Sequence, residues 1–301
     1  MKKAEEAIVA YRKLPDERLR ANWDRIWIAD ELRKRLLGQA LLSVTMRPKL
    51  SAVGATLHGL IVLQGPPGTG KSTIARGLAN KVAELVLEQT DHTIFLEVDP
   101  HVLPSELLGK SQQAVTNLLV NTIGPLAASG KPVIVLVDEV EAFAVRRTTA
   151  SMSTNPVDVH RATDAVLAGL DRLAGEYPRL LFLATTNFTT GVDEAFLSRA
   201  DAVFTFELPD QATAQRILLD TLEEYARQFP ELAGLANEST AAEVASHARG
   251  LDGRQLRKLI ALALSMDPEI VLDPGKLGVA DLIAAARHAR GRHDIVAALD
   301  E

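Results

Sequence analysis

The chain has 301 residues, 47% of them apolar, and a net charge of −6 with Lys and Arg mixed among the acids; that length can bury one large core or two modest ones, and the acidic balance argues against a broad nucleic-acid footprint. It has no cysteine, which excludes a disulfide scaffold, thiolate zinc sites and a cysteine nucleophile, and its seven histidines lack metal-ligand spacing. No apolar run reaches the ~18 residues of a membrane span, and the start Met1-Lys2-Lys3-Ala4-Glu5-Glu6 lacks a signal-peptide core, so a cytoplasmic enzyme with no membrane partner is the default expectation.

Residues 1–50 are expected to be helical. Within them Glu17 to Gln39 places Leu19, Trp23, Ile26, Trp27, Leu32 and Leu36 partly at helical spacing, with Trp23 and Trp27 one turn apart as core anchors. Pro48 and Gly54 mark a loop. The apolar run Gly59–Gln64 predicts a buried parallel strand, and Ile74, Leu78, Val82 and Leu85 predict a helix from Thr73 to Glu88. Further strands are predicted at Thr93–Val98, Pro132–Val137, Leu180–Thr185 and Val203–Phe206, with helices near Pro104–Val120 and Val157–Leu173. Strands alternating with helices predict an α/β fold with a five-stranded, mostly parallel sheet covered on both faces. After Pro209 only helices are predicted, at Gln211–Gln228, Thr240–Ala248, Gly253–Met266 and Val279–Arg290. The expected organisation is an N-terminal helical segment (1–50), a nucleotide-binding α/β domain (51–208) and a small all-helical lid domain (209–301). One polar, Ser/Thr-rich stretch, Arg146 to Pro156, has no periodicity and is expected to be a mobile loop.

Between the first strand and its helix lies Gly65-Pro66-Pro67-Gly68-Thr69-Gly70-Lys71-Ser72, which fits G-x-x-x-x-G-K-[ST] and is followed by Thr73. Glycines let successive N–H groups turn inward around a phosphate, Lys71 adds a mobile positive charge, and the Ser72 hydroxyl can ligate Mg²⁺. A helix starting at Lys71 aims its N-terminal dipole at the same phosphates. The strand ending at Val137 delivers Asp138 and Glu139, one acid for holding the metal and one for accepting a proton from water. The strand ending Ala184-Thr185-Thr186 delivers Asn187 to the edge where doubly wound sheets bind ligands. A nucleoside triphosphate with Mg²⁺ is the expected substrate and cofactor pair.

Phosphate loop, Asp-Glu strand, Thr-Asn strand, Arg199 and a helical lid, in that order, resemble an AAA+ ATPase. Within that superfamily the chain is similar to the pachytene-checkpoint type, the remodellers of HORMA-domain proteins. The resemblance runs from about Gly59 to Leu264 and rests on Glu97–Leu103, on the helix holding Asp158, Arg161, Ala165, Leu167 and Leu170–Leu173, on Ala195-Phe196 with Arg199-Ala200-Asp201, and on Gly250–Leu259. It implies that Glu139 is the catalytic base, Asn187 the first sensor of the γ-phosphate, Arg199 the arginine finger acting in a neighbouring subunit, and Arg254 the second sensor. It also implies a homo-hexamer whose pore loop falls at Leu107-Leu108-Gly109, where Leu107 stands in place of the family's aromatic, with Arg146 to Pro156 as a second pore loop. Eukaryotic members carry a separate N-terminal domain, whereas here some fifty residues precede the core; the chain resembles a bacterial form lacking that domain, of the kind found in antiphage nucleotide-second-messenger systems. A HORMA-domain protein is the partner this implies. The competing expectation is a nucleotide switch or loader acting on DNA or a DNA-bound protein, against which stand the intact Asp138, Glu139 and Arg199.

Overall fold

The computed structural model describes residues 5–50, 53–54, 56–103, 110–142, 144, 156–187 and 191–297. The chain divides into two units, Met1–Gly65 with Lys71–Phe206, and Pro66–Gly70 with Glu207–Glu301.

Within the segment expected to be helical, the first unit carries a strand, preceded by helical Glu5 and Glu6. β1 is Ile8–Leu14, followed by helices α1 (Glu17–Asp24) and α2 (Asp30–Leu41), then a π-helical stretch Leu42–Met46 and a short helical run Arg47–Leu50. Next come β2 (Leu60–Gln64), α3 (Lys71–Thr90), β3 (Thr93–Val98), α4 (Lys110–Thr116) with a π-helical stretch Asn117–Ile123, β4 (Val133–Val137), α5 (Pro156–Glu176), β5 (Leu180–Thr186), α6 (Glu194–Leu197) and β6 (Ala202–Thr205). The six strands lie in the order β1-β3-β4-β5-β2-β6. β1 runs antiparallel to β3, pairing Tyr11 with Leu96 and Leu14 with Thr93, and the other pairings are parallel. The expected α/β fold holds, with a sixth strand drawn from the segment expected to be helical.

Period-2 alternation sends one set of strand residues to each face of the sheet. Leu60, Val62, Leu96, Val135 and Phe182 belong to one core with Val115, Leu118, Val166 and Leu170. Ile61, Leu63, Phe95, Ile134 and Leu183 belong to another with Ile74, Leu78, Val82, Trp23 and Leu36. Details differ from the sequence expectation: Pro48, expected in a loop, lies in the helical run Arg47–Leu50. Asp24 ends α1, so Trp27 falls in the stretch between helices and only Trp23 is a buried anchor. On α3 the buried positions continue from Val82 to Val86, while Leu85 is 51% exposed.

In the second unit helices α7 (Gln211–Gln228), α8 (Glu238–His247), α9 (Gly253–Ser265), α10 (Pro268–Leu272) and α11 (Val279–Ala297) follow one another. Asp210, Asn237, Asp252 and Asp267 cap the first four, each side chain accepting from a backbone N–H of the first turn. Leu218, Leu222, Val244, Leu256, Leu259, Ile260 and Leu282 form its buried side chains. No helix among the described residues is long and apolar enough to cross a membrane.

Candidate active site

Because β2, β4 and β5 are parallel neighbours, their C-terminal ends deliver Gly65, Asp138 and Asn187 to one edge of the sheet. Gly65 donates to the Thr186 carbonyl at 3.3 Å and has φ 145°; a Cβ there would lie 2.1 Å from the Phe206 carbonyl oxygen, so no larger residue fits. Gly68, at φ 77°, would place a Cβ 2.2 Å from the Asp252 carboxyl, and its carbonyl accepts from the Arg254 N–H at 3.2 Å. Gly70 has φ 91°, Pro66 and Pro67 are exposed, and the Thr69 hydroxyl donates to the Pro66 carbonyl at 2.9 Å. Thr73 is half-buried on α3.

Lys71, 5% exposed, opens α3 and donates to the Gly65 carbonyl at 2.7 Å and to Asn187 Oδ1 at 2.9 Å. Asn187 passes the connection on, its Nδ2 donating to Glu139 Oε1 at 2.9 Å. The other carboxylate oxygen of Glu139 lies 3.0 Å from His101 Nε2. Glu139 has φ 58°, unusual for a residue with a side chain, and its N–H donates to the Thr185 hydroxyl at 3.0 Å. That hydroxyl donates in turn to Asp138 Oδ1 at 2.6 Å, where Ser72 Oγ also donates at 2.5 Å. Asp138 Oδ2 faces Arg76, 3.9 Å away and ion-paired with Glu97. The Glu97 hydrogen bond holds the Arg76 guanidinium above its ordinary pKa, so it carries full charge beside Asp138.

The structure thus brings Lys71, Ser72, Asp138, Glu139 and Asn187 into one hydrogen-bonded set. It adds Thr185, His101 and Arg76, which the sequence expectation did not single out. Arg76 lies one turn beyond Ser72 on the same helix face. Arg199 makes its contacts elsewhere, with Asp171 and the Ala195 carbonyl of its own chain. Arg254 is exposed near the start of α9 in the second unit. Leu107, Leu108 and Gly109 lie outside the described residues, as does 145–155.

The donor set fits Mg²⁺ bound together with phosphate. Among the described residues no group of three or more His, Asp or Glu could cage a metal alone. Ser72 Oγ and Asp138 instead offer hard oxygens at the foot of a glycine-rich loop with three positive-φ glycines, as a metal shared with phosphate requires.

A sequence model of the ATPase family associated with various cellular activities (AAA) matches residues 61–208. The chain is 47% identical over 278 residues to CD-NTase-associated protein 6 of Pseudomonas aeruginosa, covering 92% of this chain and 90% of the relative. The chain belongs to the AAA+ ATPases. This AAA+ chain is related to the pachytene-checkpoint proteins: it is 29% identical over 280 residues to the pachytene checkpoint protein 2 homolog of Arabidopsis thaliana, covering 83% of this chain. It spans about 60% of the length of that eukaryotic relative. Its fold matches a chain of the E. coli MS115-1 HORMA:CdnC:Trip13 complex with a TM-score of 0.76 at 21% identity, covering 94% of this chain and 95% of the other.

Proposed function

We propose that this AAA+ chain hydrolyses ATP with Mg²⁺ and spends the energy on remodelling a folded protein, a HORMA-domain protein, as a cytoplasmic homo-hexamer serving a bacterial antiphage nucleotide-second-messenger system. The observation that carries the hydrolytic part is the unbroken chain Lys71–Asn187–Glu139 beside the pair Ser72–Asp138. Support for the partner comes from the relatives: one is named for association with a CD-NTase, others for the pachytene checkpoint, and one solved complex contains HORMA and CdnC.

In this reading Gly65–Ser72 and Thr73 cradle the phosphates, with Lys71 exchanging its present acceptors for phosphate oxygens. Ser72 and Asp138 would hold Mg²⁺, which would neutralise charge developing on the phosphates. Glu139 takes the proton of the attacking water, and Asn187 turns its amide toward that water or the γ-phosphate. Thr185 fixes both acids at once, as donor to Asp138 and as acceptor for the Glu139 N–H. Arg199 serves the nucleotide of a neighbouring subunit, Arg254 acts as second sensor, and Leu107-Leu108-Gly109 grips the partner's chain.

The test is hydrolysis by the purified chain with a cognate HORMA-domain protein or with DNA added. Stimulation by the HORMA protein and none by DNA is expected. Stimulation by DNA alone would instead identify a loader or switch acting on nucleic acid.

A further inference from the structure

Asp171 lies on α5, outside the residues given roles above. Its carboxylate takes two donors of Arg199 side by side, Nε to Oδ1 at 2.6 Å and Nη2 to Oδ2 at 2.7 Å. The third guanidinium nitrogen, Nη1, donates to the Ala195 carbonyl at 2.8 Å. All three nitrogens are therefore anchored within one chain, while the side chain keeps 23% of its surface exposed. A forked pair of this kind fixes the guanidinium plane, which a single hydrogen bond cannot do.

The backbone that carries Arg199 is fastened as well. Two residues on, the Asp201 carboxylate accepts from the N–H groups of His58 at 2.8 Å and Gly59 at 2.7 Å, and the Asp201 N–H donates to the Leu60 carbonyl at 2.8 Å. Behind it sits Arg47, 1% exposed, whose guanidinium donates to the Pro178 and Tyr177 carbonyls; burial pushes it down to about 10, with Asp201 acting the other way. The imidazole of His58 lies 3.4 Å from Asp171 Oδ1. The hydrogen bond from Arg199 holds the Asp171 carboxyl below the usual carboxylate range, so the pair stays charged at neutral pH.

We propose that Asp171 is a positioning residue for Arg199: it orders the guanidinium in one orientation within its own subunit, before the neighbour's nucleotide is engaged. The proposal rests on the reading of Arg199 as a residue that acts on the adjacent subunit. Its chemical logic is pre-organisation. A long arginine side chain loses rotamer freedom whenever it is ordered, and Asp171 takes up that loss as the chain folds and not during turnover.

The experiment compares Asp171→Asn, Asp171→Ala, Asp171→Glu and Arg199→Ala in the full chain, with Lys71→Ala as mixing partner. Asp171→Ala and Asp171→Asn are expected to lower kcat about 10–100-fold, the scale of a misplaced catalytic group. KM for ATP and the melting temperature should stay near wild type, and Asp171→Glu should recover part of the loss. In verified mixed rings, Asp171→Ala subunits with Lys71→Ala subunits should regain activity, as Arg199→Ala subunits do. A fingerless subunit keeps its phosphate loop, and a loop-dead subunit keeps its finger. Wild-type kcat in Asp171→Ala while Arg199→Ala is impaired would overturn the proposal and leave the role of Arg199 standing. Wild-type turnover in Arg199→Ala would overturn the reading beneath both. Loss of ATP binding and of melting temperature together, without recovery in mixed rings, would make Asp171 merely structural and also overturn the proposal.

Discussion

Glu139 is held in a left-handed backbone conformation, which costs a residue with a side chain about 1–3 kcal/mol. The Thr185 hydroxyl is the group that secures it, accepting from Glu139 and donating to Asp138. Thr185→Val keeps the shape and deletes both bonds in a buried setting. It should cost about 1–3 kcal/mol in urea unfolding and raise the Mg²⁺ concentration needed for half-maximal hydrolysis, whereas Thr185→Ser should preserve both. A stable Thr185→Val with an unchanged Mg²⁺ requirement would show that Asp138 and Glu139 are placed by other means. His101 offers a second test. It occupies one oxygen of Glu139 while Asn187 occupies the other, so each oxygen must shed a partner before it can accept a proton from water. His101→Ala should therefore raise basal ATP hydrolysis a few-fold in a steady-state assay; a fall would mean that His101 assists the reaction.

At the scale of elements, the parts of the site that were legible in sequence are those built from contiguous residues. Gly65–Ser72 specifies its own loop, since glycines at 65, 68 and 70 adopt the positive φ that the turn requires. Asp138 and Asn187 follow short apolar runs that read as buried strands and are fully buried strands in the fold. The partners that complete the site were not legible because they come from distant positions: His101 and Glu139 are 38 residues apart, Thr185 and Glu139 are 46 apart. β1 was missed for a related reason. Its half-buried face carries Ile8, Ala10 and Arg12 and its exposed face Val9, Tyr11 and Lys13, so no apolar alternation marks it, and pairing with β3 makes it a strand. Leu14, where the strand enters the core, should cost about 2–5 kcal/mol when changed to Ala, while Tyr11→Ala should stay within about 0.5 kcal/mol. Equal effects at the two positions would contradict the strand and its register.

At the scale of the whole molecule, the proposed function couples hydrolysis of nucleotide to mechanical work on a partner. Arg254 is exposed in the second unit and makes no side-chain hydrogen bond or ion pair among the described residues, so Arg254→Ala should leave the melting temperature unchanged while slowing hydrolysis. Unchanged turnover would remove it from the proposed machinery. The central claim is that hydrolysis, and not nucleotide binding alone, drives the partner apart. It is tested most directly by following release of a HORMA-domain protein from its preformed complex with a nucleotidyltransferase, with ATP and either the wild-type chain or Glu139→Gln. Release by the wild-type chain is expected, and none by Glu139→Gln although that variant still binds ATP and Mg²⁺. Release by Glu139→Gln at the wild-type rate would contradict that claim.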